Sequence, residues 1–148
     1  MLHILIPGIV LYGDRHIKSA ARQEQEMVPP FPKHMQWYHV ENPGLAGGVL
    51  KEKPKAALLV QAISSILILI SLLFHRCDKS SAEKAGSTFM LFGALSNLYD
   101  RLEHGSVTDM LRFPKAPGRL KSLVFNIADF MLIFGAILTV IGPLFRKK

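Results

Sequence analysis

Asn97, Asp100, Arg101 and Asp109 fall within one stretch, residues 93–110 (GALSNLYDRLEHGSVTDM), which begins apolar and ends polar. Asp129 stands twenty residues after Asp109, inside the otherwise apolar FNIADFMLIFGA. On a helix, Gly93, Asn97 and Arg101 follow at i, i+4 and i+8, with Asp100 at i+3 from Asn97, so one face is polar. Ionisable side chains at the edge of a membrane-grade segment are costly, and they mark a site or a partner. Two such carboxylates can hydrolyse an amide without a covalent intermediate. The ionised one takes a proton from water, and the protonated one hydrogen-bonds to the scissile carbonyl. Like charges close together keep the pair singly protonated.

Other chemistries find less support. Cys77 is the only cysteine, which excludes an intrachain disulfide and reads as an idle thiol in a short loop. The six histidines show no HExxH and no clustered ligand spacing, so no metal site is expected. No P-loop or dinucleotide glycine pattern occurs. The net charge of +7 could suggest nucleic acid. However, the basic residues flank apolar blocks, as they do around membrane segments, and no recognition helix or RNA-stacking motif is present.

The elements that must position these residues follow from the apolar blocks. Residues 2–21 form a first helix that continues through Asp14 and Lys18. That pair is spaced i, i+4, and the spacing leaves open whether it is paired along one face or merely solvated at a helix end. A secretory signal peptide cut after Ser19-Ala20-Ala21 is the rival reading, but no positive residue precedes the apolar run. Residues 22–55 carry five prolines, which argue against a long helix; MQWYHV within them suits a short strand, and Asn42 before Pro43 a turn. Residues 56–74 are a charge-free span. Residues 85–102 reach spanning length only if the helix runs on through Asp100 and Arg101. EHGSVTDMLRFPKAPGRLK reads as a loop. Residues 122–144 form a fourth span, placing Asp129 about 10 Å along its axis.

Four spans put both termini on one side of the membrane. Asp14, Asn42, Asn97, Asp100, Arg101, Asp109, Asn126 and Asp129 then gather at the other face. Spacing alone does not exclude Asp100 from a carboxylate pair, and physics alone reaches no further than an intramembrane carboxylate site.

The motifs, taken in order, resemble those of the bacterial lipoprotein signal peptidase (signal peptidase II) family. DRHIK, with Asp14 and Lys18, resembles the family's D-x-x-[S/T]-K, with Ile17 in place of the hydroxyl residue. NPGLAG, with Asn42, Gly44 and Ala46, resembles N-x-G-A-A-F, departing from it at Leu45 and Gly47. SNLYDRLEHGSVTDM resembles G-N-x-x-D-R-x-x-x-G-x-V-x-D-F, with Ser96 for glycine and Met110 for phenylalanine. FNIAD matches F-N-x-A-D.

The resemblance implies an all-α integral membrane protein with four transmembrane helices and a small extracytoplasmic β-structured cradle between helices 1 and 2. It implies a multi-pass protein of the bacterial cytoplasmic membrane, both ends inside. The implied activity is an aspartic endopeptidase that cuts lipid-modified prolipoproteins just before the diacylglyceryl-cysteine, without a cofactor. Its catalytic pair would be Asp109 and Asp129. Asp14, Lys18, Asn42, Asn97, Asp100, Arg101 and Asn126 would support the site or bind substrate. The partners implied are the lipid-modified prolipoprotein and membrane lipid; no nucleic acid is expected, and the sequence leaves the oligomeric state open, with a monomer favoured. Two observations pull elsewhere. Lys and Arg, including Lys51, Lys53 and Lys55, are more numerous on the side taken as external, and the positive-inside rule favours the inverse orientation. A non-enzymatic membrane protein with a carboxylate pathway for ions or protons, or an inactive lipoprotein-binding relative, would also hold buried Asp, Asn and Arg.

Overall fold

The computed structural model describes residues 2–23, 34–74 and 80–145. Cys77 and its loop, Arg76, Lys79 and the basic residues 146–148 lie outside the described residues. Helix α1 spans Leu2–Arg22, α2 Pro54–Phe74, α3 Ser81–His104 and α4 Ile127–Ile141, the last continued by a 3-10 turn, Gly142–Phe145.

The starts of α2, α3 and α4 have local causes. Pro54 opens α2, where its missing N–H costs nothing. Within that apolar helix, Ser64 and Ser65 return their hydroxyls to the carbonyls of Val60 and Gln61 at 2.8 Å, so neither hydroxyl is left unpaired. Ser80 and Glu83 form a capping box at the head of α3, and Gly105, at φ 77°, closes it by donating to the Arg101 carbonyl.

Helix α3 is central, packed against α1, α2 and most extensively α4. At its closest points the α3–α4 contact brings backbone against backbone. A Cβ on Gly86 would lie 2.6 Å from the Gly135 carbonyl, and one on Gly93 would lie 2.6 Å from that of Ala128. Absent side chains thus set the approach, as in helix pairs that lack a hydrophobic drive to associate. Leu59, Ile63, Ile66, Leu67 and Leu73 of α2, with Ile137 and Val140 of α4, face outward. Among the described residues two helices, Pro54–Phe74 and Ile127–Leu144, are long and apolar enough to cross a membrane.

The remaining chain forms a three-stranded antiparallel sheet in the order β1 (Gln36–Asn42), β2 (Val107–Arg112), β3 (Val124–Phe125). The strand expected within residues 22–55 is present as β1. Its partners correct the sequence reading: residues 107–112, read as loop, are the middle strand, so the sheet draws on the α3–α4 connection as well. Val107 to Leu111 are all buried, which erases the alternation that would have marked a strand. Met110, Leu111 and Ala21 form a small core, with Ile17, Trp37, Phe113 and Phe125 packed around it. That core fastens the sheet to the end of α1.

A second correction concerns α4. It begins at Ile127 rather than near residue 122, because residues 124–125 are spent on strand pairing and Asn126 caps the helix. Asp129 is therefore in the first turn, at the mouth of the helix rather than two turns inside it.

Candidate active site

Strand β2 carries Asp109 opposite Val40 of β1, beside a register shift between Trp37 and Val40. Such a shift re-aims side chains next to it. The Asp109 carboxylate accepts from the Asn126 amide at 2.7 Å and from the Asn42 amide at 3.1 Å. Asn126 also builds the second carboxylate's seat. Its Oδ1 accepts the Asp129 N–H at 2.8 Å, and its own N–H donates to Asp129 Oδ2 at 3.1 Å. One asparagine thus caps α4 and touches both aspartates. The other oxygen of Asp129 accepts from Asn97 Nδ2 at 3.0 Å.

Behind this layer lies a buried charge cluster. Lys18 reaches Asn97 Oδ1 at 2.9 Å, Asp14 at 3.0 Å and Asp100 at 2.9 Å. Asp14 and Lys18 are both fully buried, so the pair is a core ion pair and not a solvated helix end. Asp14 also accepts from Ser96 Oγ at 2.5 Å and from the Ala128 N–H at 3.0 Å. The second bond satisfies one of the free amides at the start of α4, where a negative charge also suits the helix dipole. Asp100 turns to α1, meeting Lys18, Arg22 at 3.0 Å and Arg15 at 3.6 Å. These are charge contacts rather than aligned hydrogen bonds. Arg101 donates to the carbonyls of Gly44 and Asn97, which pins the segment after β1 against α3.

A cavity of about 400 Å³ opens onto Asn42, Asn97, Arg101, Asp109 and Asp129, and is walled farther along by Val60, Ile68, Leu132 and Ile133. It is apolar over most of its length with convergent polar groups at one end, the form of a ligand site. Burial, with the Asp129 charge adding to it, pushes the Asp109 carboxyl up to about 7 despite the bonds from Asn42 and Asn126. Asp109 is therefore poised to hold a proton near neutrality.

Of the residues singled out in the sequence, Asn42, Asn97, Arg101, Asp109 and Asp129 line this cavity and Asn126 bridges the two aspartates. Asp14 and Lys18 stand one layer back, and Asp100 makes its contacts with α1. Sequence reasoning missed Ser96, Arg15, Arg22 and the Gly44 carbonyl as partners. It also missed Gln61, which lines the cavity and donates to the Ala94 carbonyl at 3.2 Å. The N-x-x-D spacing of Asn126 and Asp129 was a readable capping signal. No group of three His, Cys, Asp or Glu side chains among the described residues is placed to hold a metal ion.

Comparison with known proteins gives a consistent result. The sequence model of a family described as signal peptidase (SPase) II matches residues 6–145. The lipoprotein signal peptidase of Moorella thermoacetica is 33% identical over 141 residues, covering 93% of this chain and 89% of that protein. That of Enterococcus faecalis is 33% identical over 156 residues, covering 100% and 91%. Two solved structures of bacterial membrane enzymes, each 25% identical, superpose with TM-scores of 0.77 and 0.74. They cover 99% and 98% of this chain and 92% and 94% of theirs.

Proposed function

The chain belongs to the signal peptidase II family and is a membrane peptidase that removes signal peptides from lipoproteins; from that premise we propose that Asp109 and Asp129 are its catalytic pair, acting by aspartic chemistry. The observation that carries this is the arrangement around Asn126, whose side-chain amide donates to Asp109 and whose backbone N–H donates to the Asp129 carboxylate, at one apolar cavity.

Asp109 holds the pair's single proton and Asp129 is ionised. Asp129 takes a proton from a water molecule as its oxygen attacks the scissile carbonyl, while Asp109 gives its proton to the carbonyl oxygen. The resulting gem-diol collapses: a hydroxyl proton returns to Asp109, the C–N bond breaks, and the leaving amine takes the proton from Asp129. Each aspartate ends as it began. Asn42, Asn97 and Asn126 hold the two carboxylates in register.

All four helices cross the bacterial cytoplasmic membrane in this reading, with the sheet on the outer face. The charges of α1 and α3 are compatible with that because Asp14, Lys18, Asp100 and Arg101 are turned inward. The outward apolar side chains of α1, among them Leu2, Leu5 and Ile9, face lipid. The cut falls just before the diacylglyceryl-cysteine, whose lipid holds the scissile bond at the depth of the site and raises its effective concentration. Mass analysis of a prolipoprotein incubated with purified protein tests this. Cleavage should occur before the lipidated cysteine and be poor without the diacylglyceryl group. Equal cleavage of the two forms contradicts the lipid's role, and cleavage elsewhere contradicts the assigned bond.

A further inference from the structure

The catalytic cavity shares a wall with a second groove. Asn42, Gly47, Asp109, Leu123 and Val124 line both. From that wall the first space runs between α2 and α4 along Val60, Ile68 and Ile133, while the second, of about 450 Å³, lies beside β1 and residues 122–124. Lys51, Glu41 and Ser122 line this second groove.

A chain cut at Asp109 must extend in two directions from it. A signal peptide is apolar over about 7–15 residues before its cleavage site, which suits the helix-lined space. The chain after the lipidated cysteine is bound for water and needs the other exit. We propose that the groove beside β1 seats the residues that follow the lipidated cysteine, and that Lys51 selects acidic side chains there. The proposal rests on the peptidase reading above.

Charge in the groove supports this assignment. Glu41 also lines it, but its carboxylate is engaged by Ser106 Oγ at 2.5 Å, Thr108 Oγ1 at 2.8 Å and His39 Nε2 at 3.0 Å, with Arg22 at 3.8 Å. Its charge is matched from within. Lys51 meets Glu52 at 3.8 Å, and both side chains are largely exposed. Such a loose surface pair is worth little and can exchange for a better-placed carboxylate. The backbone beneath Lys51 is fixed. Leu45 donates to the Val49 carbonyl at 2.6 Å and Lys51 to that of Gly48 at 3.2 Å, across a turn whose glycines 47 and 48 have φ of 70° and 76°. A flexible ammonium on a set turn is suited to choosing among side chains without disturbing the dyad.

The test uses two lipidated prolipoprotein peptides that differ only in carrying Asp or Lys at the two positions after the cysteine. The full-length protein should show a kcat/KM about twofold to fivefold higher for the Asp peptide, the range of an exposed ion pair. Lys51→Glu should reverse the preference, and high salt should flatten it in both proteins. Lys53→Glu, with the same change of net charge, should keep the original preference. An unchanged ratio in Lys51→Glu, with both peptides still cut, overturns the inference alone, and so does an equal reversal in Lys53→Glu. Failure of the unaltered protein to cut either peptide overturns the peptidase reading on which the inference stands.

Discussion

Lys18 Nζ lies 2.9 Å from Asn97 Oδ1, so the nitrogen end of that amide is the end presented to Asp129. An amide's two ends look alike in shape but not in role. Turned over, Asn97 would set its oxygen against a carboxylate and its NH2 against an ammonium. A lysine of α1 thus fixes which hydrogen bond a carboxylate of α4 receives, although it does not touch that carboxylate.

Lys18→Met keeps the length of the side chain and removes its charge. Asp14 and Asp100, both fully buried, would lose their shared cation. Breaking a buried pair on one side costs about 3–5 kcal/mol. Thermal unfolding in detergent should show that loss, together with depressed cleavage. Asp100→Asn should also unfold earlier but retain partial cleavage, because Asp100 bonds to α1 and not to the dyad. A variant as stable as the parent would refute the role given to the cluster.

Asp109→Asn and Asp129→Asn should each abolish cleavage while the protein still folds. Asparagine keeps the size of aspartate and cannot carry the proton. Loss of acid–base help is worth roughly 10²–10⁴-fold, and the double variant should be little worse than either single one, since the pair fails as a unit. Near-normal turnover by Asp109→Asn would show that the wrong aspartates have been paired.

The raised Asp109 carboxyl has two consequences for pH. Its folded value of about 7 exceeds the ordinary 3.8, so between these values the folded protein binds more protons than the unfolded chain. Stability should therefore fall as pH rises from about 4 to about 7 and change little above that on this account, and Asp109→Asn should lack that fall. Cleavage should be bell-shaped, declining above about pH 7 as the shared proton leaves. Unfolding temperatures and kcat/KM across the range read both; a rate still climbing past pH 8 would contradict the assignment of the proton.

Gly135→Ala tests the helix contact. The added methyl would lie 2.5 Å from the Gly86 carbonyl and 2.8 Å from the Met90 nitrogen, which are backbone atoms that cannot swing aside. The cost should be about 1–3 kcal/mol, seen as a lower Tm and lower abundance in membranes. The pH profile of the remaining cleavage should be unchanged.

Much of this site was legible in the sequence because its polar residues stand in apolar surroundings. Asp129, Asn97 and Lys18 had no ordinary reason to be there, and the order of the motifs identified the family. What was hidden depends on elements that do not follow periodicity. Strand β2 is buried on both faces, so VTDML reads as neither strand nor helix. The start of α4 was placed too early because Leu123, Val124 and Phe125 are as apolar as the helix that follows, and only the cap at Asn126 ends the strand and begins the helix. The choice between Asp14–Lys18 as a pair and as a solvated end required Ser96 and Asp100 of α3 to be in place. Those partners are some eighty residues away in the chain.

The bond from the Ala128 N–H to Asp14 joins groups 114 positions apart. It makes the order of synthesis matter. α1 is made first, carrying Asp14 and Lys18, and α3 later brings Ser96, Asn97 and Asp100 to them. Until α4 arrives, however, Asp129 is absent and Asp109 lacks the Asn126 amide. A chain still without α4 therefore lacks one carboxylate and the asparagine that holds the other. On the proposed assignment of the catalytic pair, the cutting machinery is complete only when the last helix docks, because Asp129 and the amide that holds Asp109 arrive on the same element.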